Sequence, residues 1–195
     1  MTVTESAGGS RRGRRNDPDR RERIAEACLD VIAEWGVSGT SHRRVASAAG
    51  VPLGSMTYHF EGMSDLLHTT FGLFASRVAE RFERRLAAAT DAASARAAVV
   101  TIILEDVFGS PRDLVLSHEL YTLAARDAAY RDLTTAWMAR SRSALERHFS
   151  PRTARLLDAL IEGLTIHRAL DEGERDPADV ALAVELIAAA DARTR

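Results

Sequence analysis

Apolar residues recur every three or four positions along most of this chain, the period of a helix with one buried face. No stretch alternates apolar and polar residues long enough for a strand. The first stripe is Ile24, Cys28, Val31, Ile32 and Trp35. It predicts a helix from Pro18 to about Trp35, ended by Gly36 in a left-handed conformation. Two short helices should follow, one opened by Ser41 as N-cap and one over Pro52–His59, with Met56 and Phe60 turned to the core. Leu67, Phe71, Phe74, Val78 and Phe82 mark a long helix over Ser64–Ala89. Five more are expected: Asp91–Phe108, one starting at Ser110-Pro111, Asp127–Phe149, Pro151–Leu170 and Pro177–Ala192. All five prolines sit where helices can begin, and four follow a capping residue, Asp17, Ser110, Ser150 or Asp176. Asp113, three residues after Ser110, suggests a variant capping box. The pattern predicts an all-α chain of nine helices.

Between Ser41 and Phe60 the scale of the pattern changes. Val45, Ala46 and Ala49 share one face of a short helix, Gly50 permits a sharp turn, and Val51 can plug the angle to the next helix. This is the layout of a helix-turn-helix, whose second helix can lie in the DNA major groove. It is also the layout of an ordinary helical hairpin, so the side chains must decide. Arg43 can fork onto guanine O6 and N7 or meet a phosphate, Arg44 can meet a phosphate, and a good forked contact discriminates by about 1–3 kcal/mol. The Ser41 hydroxyl can satisfy a free helix amide or a phosphate. Ser55 and Thr57 can hydrogen-bond bases or phosphates, the Thr57 methyl can meet a thymine methyl, and Gly54 lets the backbone come close. His42 and Leu53 complete the candidate DNA-facing set.

Several residues in this region agree with a known pattern in order and spacing. Gly36-x-x-Gly39-Thr40, Val45-Ala46-x-x-Ala49-Gly50-Val51 and Gly54-x-x-x-Tyr58-His59-Phe60, followed by Asp65-Leu66, resemble the TetR family of transcriptional regulators. The resemblance is specific over Ile24–Leu67 and architectural beyond it. It implies a homodimeric bacterial repressor released from its operator by a small molecule. It also implies that Arg43 and Arg44 lie next to DNA and that Tyr58 and His59 contact phosphates. Three departures stand out: Pro52 where a capping Ser or Thr is frequent, Thr57 where tyrosine is common, and Met63 in place of a phosphate-reaching lysine. They shift reliance onto Arg43, Arg44 and the N-terminal arm, and so predict affinity that falls steeply with salt.

Composition sets the bounds. The chain has 195 residues, 46% of them apolar and 6% aromatic, enough for one sizeable domain or two sharing a core. All 26 basic residues are arginine, and the net charge of −2 argues against a protein coated in nucleic acid. The distribution is uneven: residues 1–60 hold nine Arg against seven acids, residues 61–195 seventeen against twenty-one. A basic end on an acidic body suits a protein that points one end at phosphates. Residues 1–16 lack apolar periodicity and read as a disordered arm, whose Arg11, Arg12, Arg14 and Arg15 are either a solvated tail or a DNA-following strap. A single cysteine, Cys28, excludes an internal disulfide and falls on an apolar face. No signal peptide or spanning segment is evident, so a cytoplasmic protein is expected.

The expected organisation is an arm over 1–16, a DNA-binding head over 17–61, and a ligand-binding and dimerisation body over 62–195. In the body, candidate lining residues for a ligand pocket are Phe71, Phe74, Val78, Leu104, Phe108, His118, Tyr121, Trp137, Met138, Leu164 and His167. Polar groups on largely apolar stripes, such as His118, Tyr121 and His167, need partners if buried, and a ligand can supply them. The expected ligand is mainly apolar or aromatic, held by one or two polar contacts. Leu156 and Leu160 on the eighth helix, with Val180, Val184 and Ile187 on the ninth, are the candidate dimer interface, a four-helix contact that the resemblance implies. Enzyme readings lack support: His118-Glu119 has no second histidine for HExxH, and no nucleophile elbow, phosphate loop or dinucleotide fingerprint occurs. No metal or cofactor is expected. Two alternatives to a ligand-released repressor stay open: a DNA-binding dimer of the same fold without a small-molecule effector, architectural or partner-controlled, and an all-α interaction module without DNA binding.

Overall fold

The computed structural model describes residues 19–106, 110–173 and 176–192. The basic arm, the Pro18 start of the first helix and Phe108 lie outside the described residues. Among the described residues, nine α-helices run in order: α1 Arg20–Gly39, α2 His42–Ala48, α3 Gly54–His59, α4 Met63–Ala87, α5 Ala92–Thr101, α6 Pro111–Ala124, α7 Ala128–Glu146, α8 Pro151–Leu170 and α9 Pro177–Ala192. Among the described residues there is no strand, and no helix is long and apolar enough to cross a membrane.

Local chemistry explains the helix starts. Ser110 and Ser150 accept the amides of Asp113 and Thr153, with a proline just inside each helix, and Asp127 accepts the amide of Ala129. The capping box falls elsewhere than expected. Asp91 and Ser94 form one at the start of α5, whereas the Asp113 carboxylate turns away to pair with Arg81 at 2.7 Å. The fifth helix also departs from its expected course. It is α-helical only to Thr101 and widens into a π-helical turn over Ile102–Asp106. Such a turn loosens the carbonyl ladder, and the Arg168 guanidinium of α8 donates to the Leu104 carbonyl there.

Two apolar clusters hold the helices. The first joins α1, α2 and α3 to α4, α6 and α7 through Ile24, Cys28, Val45, Met56, Phe60, Phe71, Leu116, Leu120 and Trp137. The second joins the far ends of α4 and α7 to α5, α8 and α9 through Phe82, Leu86, Val99, Ile103, Leu145, Leu157 and Val184. The expected boundary at residue 61 is therefore no gap in packing, because α1 lies directly on α4 and α6. Ion pairs bridge the same seam. Arg77 of α4 reaches Glu22 at 3.3 Å and also Glu26, while Arg112 of α6 reaches Glu26 at 3.1 Å and Asp30 at 2.9 Å. The Cys28 thiol is buried in the first cluster, which pushes its pKa up to about 11 and keeps it in the unreactive thiol form.

Candidate nucleic-acid interface and interior cluster

Ser41 is extended, and its hydroxyl accepts the Arg44 amide at 3.3 Å, opening α2 as expected. At the other end, Gly50 adopts φ 63°. Its amide returns to the Ser47 carbonyl and that of Val51 to Ala46, the paired bonds of a Schellman turn. Val51 packs on the first cluster, fixing the angle between the helices. The second helix is shorter than expected, Gly54–His59, since Pro52 and Leu53 form a turn before it. Met56 and Phe60 point inward. The opposite side of α2 and α3 presents Ser41, Arg43, Leu53, Gly54, Thr57 and Tyr58 to solvent, with His42, Ser55 and His59 half-buried. Tyr58 is 79% exposed and meets His59 edge-on at 4.9 Å. A Cβ added at Gly54 would meet nothing within 4 Å, so the backbone there is open to an approaching partner.

Trp35, expected in the buried stripe, is instead 51% exposed. Trp35 keeps its helical phase, and Gly36, with φ 68° and ψ 172°, breaks α1 directly after it. Trp35 thereby becomes a platform: the Arg44 guanidinium lies 4.6 Å from its ring centre and donates to the Gly39 carbonyl. A Cβ on Gly39 would stand 2.8 Å from that of Trp35, which explains the second glycine of the motif. Arg44, expected at phosphate, is exposed yet anchored on Trp35, and Arg43 is exposed beside it. Trp35 as a positioning residue was missed; its spacing to Gly39 and Arg44 was the available signal. Asp65 also has a local role, accepting from the Glu61 amide at 3.1 Å and pairing with Arg21 at 3.2 Å, which fixes the start of α4 against α1.

Inside the body, part of the expected pocket set converges. Phe74 meets Trp137 edge-on at 6.2 Å, Trp137 stacks with Tyr121 at 5.9 Å, and Tyr121 meets His118 at 6.4 Å, a chain of rings linking α4, α7 and α6. Phe71 and Val78 are buried alongside. Phe74 and Val78 also floor a cleft of about 320 Å³ between α1, α4 and α6. Other candidates lie elsewhere. Leu164 packs on the second cluster, and Leu104 belongs to the π-helical turn. Met138 and His167 are corrections: both fall on the solvent-facing sides of their helices and line no part of this cluster. Two acids of α8 take the place next to the rings. The Tyr121 hydroxyl donates to Glu162, and Asp158 meets Arg142 at 3.4 Å. Burial raises the pKa of both carboxyls, of Glu162 against the Tyr121 hydrogen bond and of Asp158 against the Arg142 charge. Burial, followed by the Glu162 charge, also raises that of the Tyr121 phenol. In sequence these acids look like any solvated helix face. Among the described residues, no group of three or more His, Cys, Asp or Glu is placed to hold a metal.

The last two helices revise the expected outer face. Val184 is 1% exposed and belongs to the second cluster, so it is an intrachain core residue. Leu160, Val180 and Ile187 are half-buried against that cluster, and only Leu156 of the expected set stands exposed. Leu182 and Leu186, 57% and 65% exposed, occupy the outward side of α9. The reason is that α9 is apolar all round, so its sequence leaves open which side faces in.

The exposed polar side of a helix-turn-helix, carried on a helical body, defines a DNA-binding regulator, and comparison with known proteins agrees. Residues 24–70 match the bacterial regulatory proteins of the tetR family, and residues 91–190 match the tetracyclin repressor-like C-terminal domain. A transcriptional regulator of Streptomyces coelicolor A3(2) is 55% identical, with a TM-score of 0.82 over 88% of this chain and 99% of that one. The multidrug binding protein EbrR, crystallised with ethidium, is 30% identical, with a TM-score of 0.72 over 87% of this chain and 98% of that one. The regulator PksA of Bacillus subtilis (strain 168) is 38% identical over 64 residues, which span 33% of this chain and only 31% of that protein. This chain belongs to the TetR family of transcriptional regulators, DNA-binding proteins rather than enzymes.

Proposed function

We propose that the chain acts in the cytoplasm as a homodimeric repressor, holding its two α3 helices in successive major grooves of an operator until a small molecule enters the body. The observation that carries this is the division of α2–α3 into a buried side, Val45, Met56 and Phe60, and an open side, Arg43, Gly54, Thr57 and Tyr58. On this reading Arg43 reaches a base edge or phosphate, Ser55 and Thr57 face bases, and Tyr58 and His59 meet phosphates. Residues 17–61 serve as the head and 62–195 as the body, moving together through the shared cluster. Dimerisation has a physical motive, since one six-residue helix in one groove buries little surface. The outward leucines of α8 and α9 supply a face for it. A small-molecule effector is supported by EbrR, a multidrug binding protein with a body of the same fold. Moving such a dimer from 1:99 to 99:1 released takes about 5.5 kcal/mol of differential affinity.

Genomic DNA selection with the full-length protein tests the reading. The expected product is a motif with two-fold symmetry that Arg43→Ala fails to retain while keeping the wild-type melting curve. Absence of any enriched motif contradicts DNA recognition and favours the interaction-module alternative.

A further inference from the structure

Arg44 is an exposed cation that the chain holds in place without a counter-charge. Its guanidinium lies 4.6 Å from the Trp35 ring centre and donates from Nη1 to the Gly39 carbonyl. No acid pairs with it among the described residues, whereas Arg21, Arg77, Arg81, Arg85 and Arg112 each reach one. Trp35 belongs to neither apolar cluster, so the arginine is the partner that its ring has. Gly39 is part of the seat: a Cβ there would crowd that of Trp35 at 2.8 Å and stand 3.5 Å from Arg44 Nη1. A guanidinium carries five N–H donors in a planar fork. The Gly39 carbonyl takes one of them, and the rest have no partner among the described residues. In a helix-turn-helix the first helix, here α2, crosses the DNA backbone while the second enters the groove. An arginine already fixed there meets a phosphate without losing further side-chain freedom.

We infer that Trp35 is a positioning residue for DNA binding, holding Arg44 ready to clamp a backbone phosphate beside the groove that α3 enters. Such a clamp carries no base preference. It adds affinity on every sequence and leaves the reading of the operator to Arg43 and α3. The inference rests on DNA binding by the head and needs no effector.

The experiment titrates two labelled duplexes, one carrying the selected operator and one of arbitrary sequence, with the full-length protein over a salt series. Arg44→Ala is expected to flatten the slope of log K against log salt by about 0.9 for each bound head, on both duplexes. Trp35→Leu, with the wild-type melting curve, is expected to weaken binding about two- to fivefold per head, the worth of an exposed cation–π contact, and Trp35→Phe to recover most of it. In the Arg44→Ala background the same Trp35→Leu change should have no further effect. Arg44→Lys keeps the charge without the planar stack, so it should hold the salt slope and lose affinity as Trp35→Leu does. Should Trp35→Leu melt early, Trp35→Gln, a good helix former at an exposed position, takes its place. An unchanged slope in Arg44→Ala, undiminished binding by the Trp35 variant, or an equal Trp35 loss with and without Arg44 each overturns the inference. Loss of sequence preference in Arg43→Ala together with indifference to Trp35 keeps the proposed function and sinks this inference alone. A wild type that binds neither duplex sinks both.

Discussion

Gly36 is the more constrained of the two turn glycines. Its φ of 68° and ψ of 172° lie in a region held almost only by glycine, while the Glu119 Oε1 that a Cβ would meet at 2.7 Å is the tip of a flexible side chain that can swing aside. Gly50 shares the positive φ, yet a Cβ there meets nothing within 4 Å. Gly36→Ala should lower stability by the upper part of about 1–3 kcal/mol, and Gly50→Ala by about 1 kcal/mol. Thermal melts of the two variants check the order, and equal losses would show that the ψ of 172° at Gly36 adds no strain. Glu162 yields a prediction with a sign. Its folded pKa is raised above the ordinary 4.5, so the folded chain binds that proton more tightly than the unfolded chain. The penalty for ionising it is absent below 4.5 and complete above the raised value. Glu162→Gln should therefore raise the melting temperature at neutral pH, with the gain fading as pH falls into the carboxylate range. A gain that persists unchanged in acid would place its cause outside this carboxyl.

The helices were legible wherever one side is apolar and the other polar. The stripe of α1, the capped starts of α6 and α8, and the Gly50 turn all follow from periodicity and capping chemistry. What the sequence leaves undetermined is phase and register. Helix α9 is apolar on every side, so Val184 and Leu186 look alike on paper, though one lies in the core and the other faces out. The π-helical turn at Ile102–Asp106 leaves no breaker residue to announce it, and Trp35, in phase with the stripe of α1, lies at its end beyond the apolar cluster and is exposed. In the candidate site the rings Phe74, Tyr121 and Trp137 were visible as apolar positions, while Glu162 passed for a solvated acid. Phase also sets a prediction for α9. If α9 forms the proposed dimer face, Leu186→Asp should give a monomer at micromolar concentration with the helical content intact, because that side chain faces away from its own chain. Val184→Asp should unfold the second cluster instead. Sedimentation velocity and circular dichroism distinguish the two, and a Leu186→Asp protein that still sediments as a dimer would move the interface elsewhere.

At the scale of the molecule, α1 is the coupling element. It carries the base of the helix-turn-helix, shares the first apolar cluster with α4, α6 and α7, and is tied across the seam by Arg77, Arg112 and Arg21. Exposed pairs of this kind contribute about 0–1 kcal/mol each, so the apolar cluster holds head and body together and the arginines add little to it. On the proposed reading, a ligand among α6, α7 and α8 would act on Trp137 and Phe74, which meet edge-on, hence on α4, and through α4 on the head. In the proposed dimer, the spacing of the two heads is the quantity that such motion would change. Guanine methylation protection on the selected operator measures that spacing most directly, because N7 lies in the major groove. The account predicts two protected patches on one face of the duplex, about 34–36 Å apart, both lost in Arg43→Ala and both released by the bound effector. A single patch, or protection that Arg43→Ala leaves untouched, would contradict it.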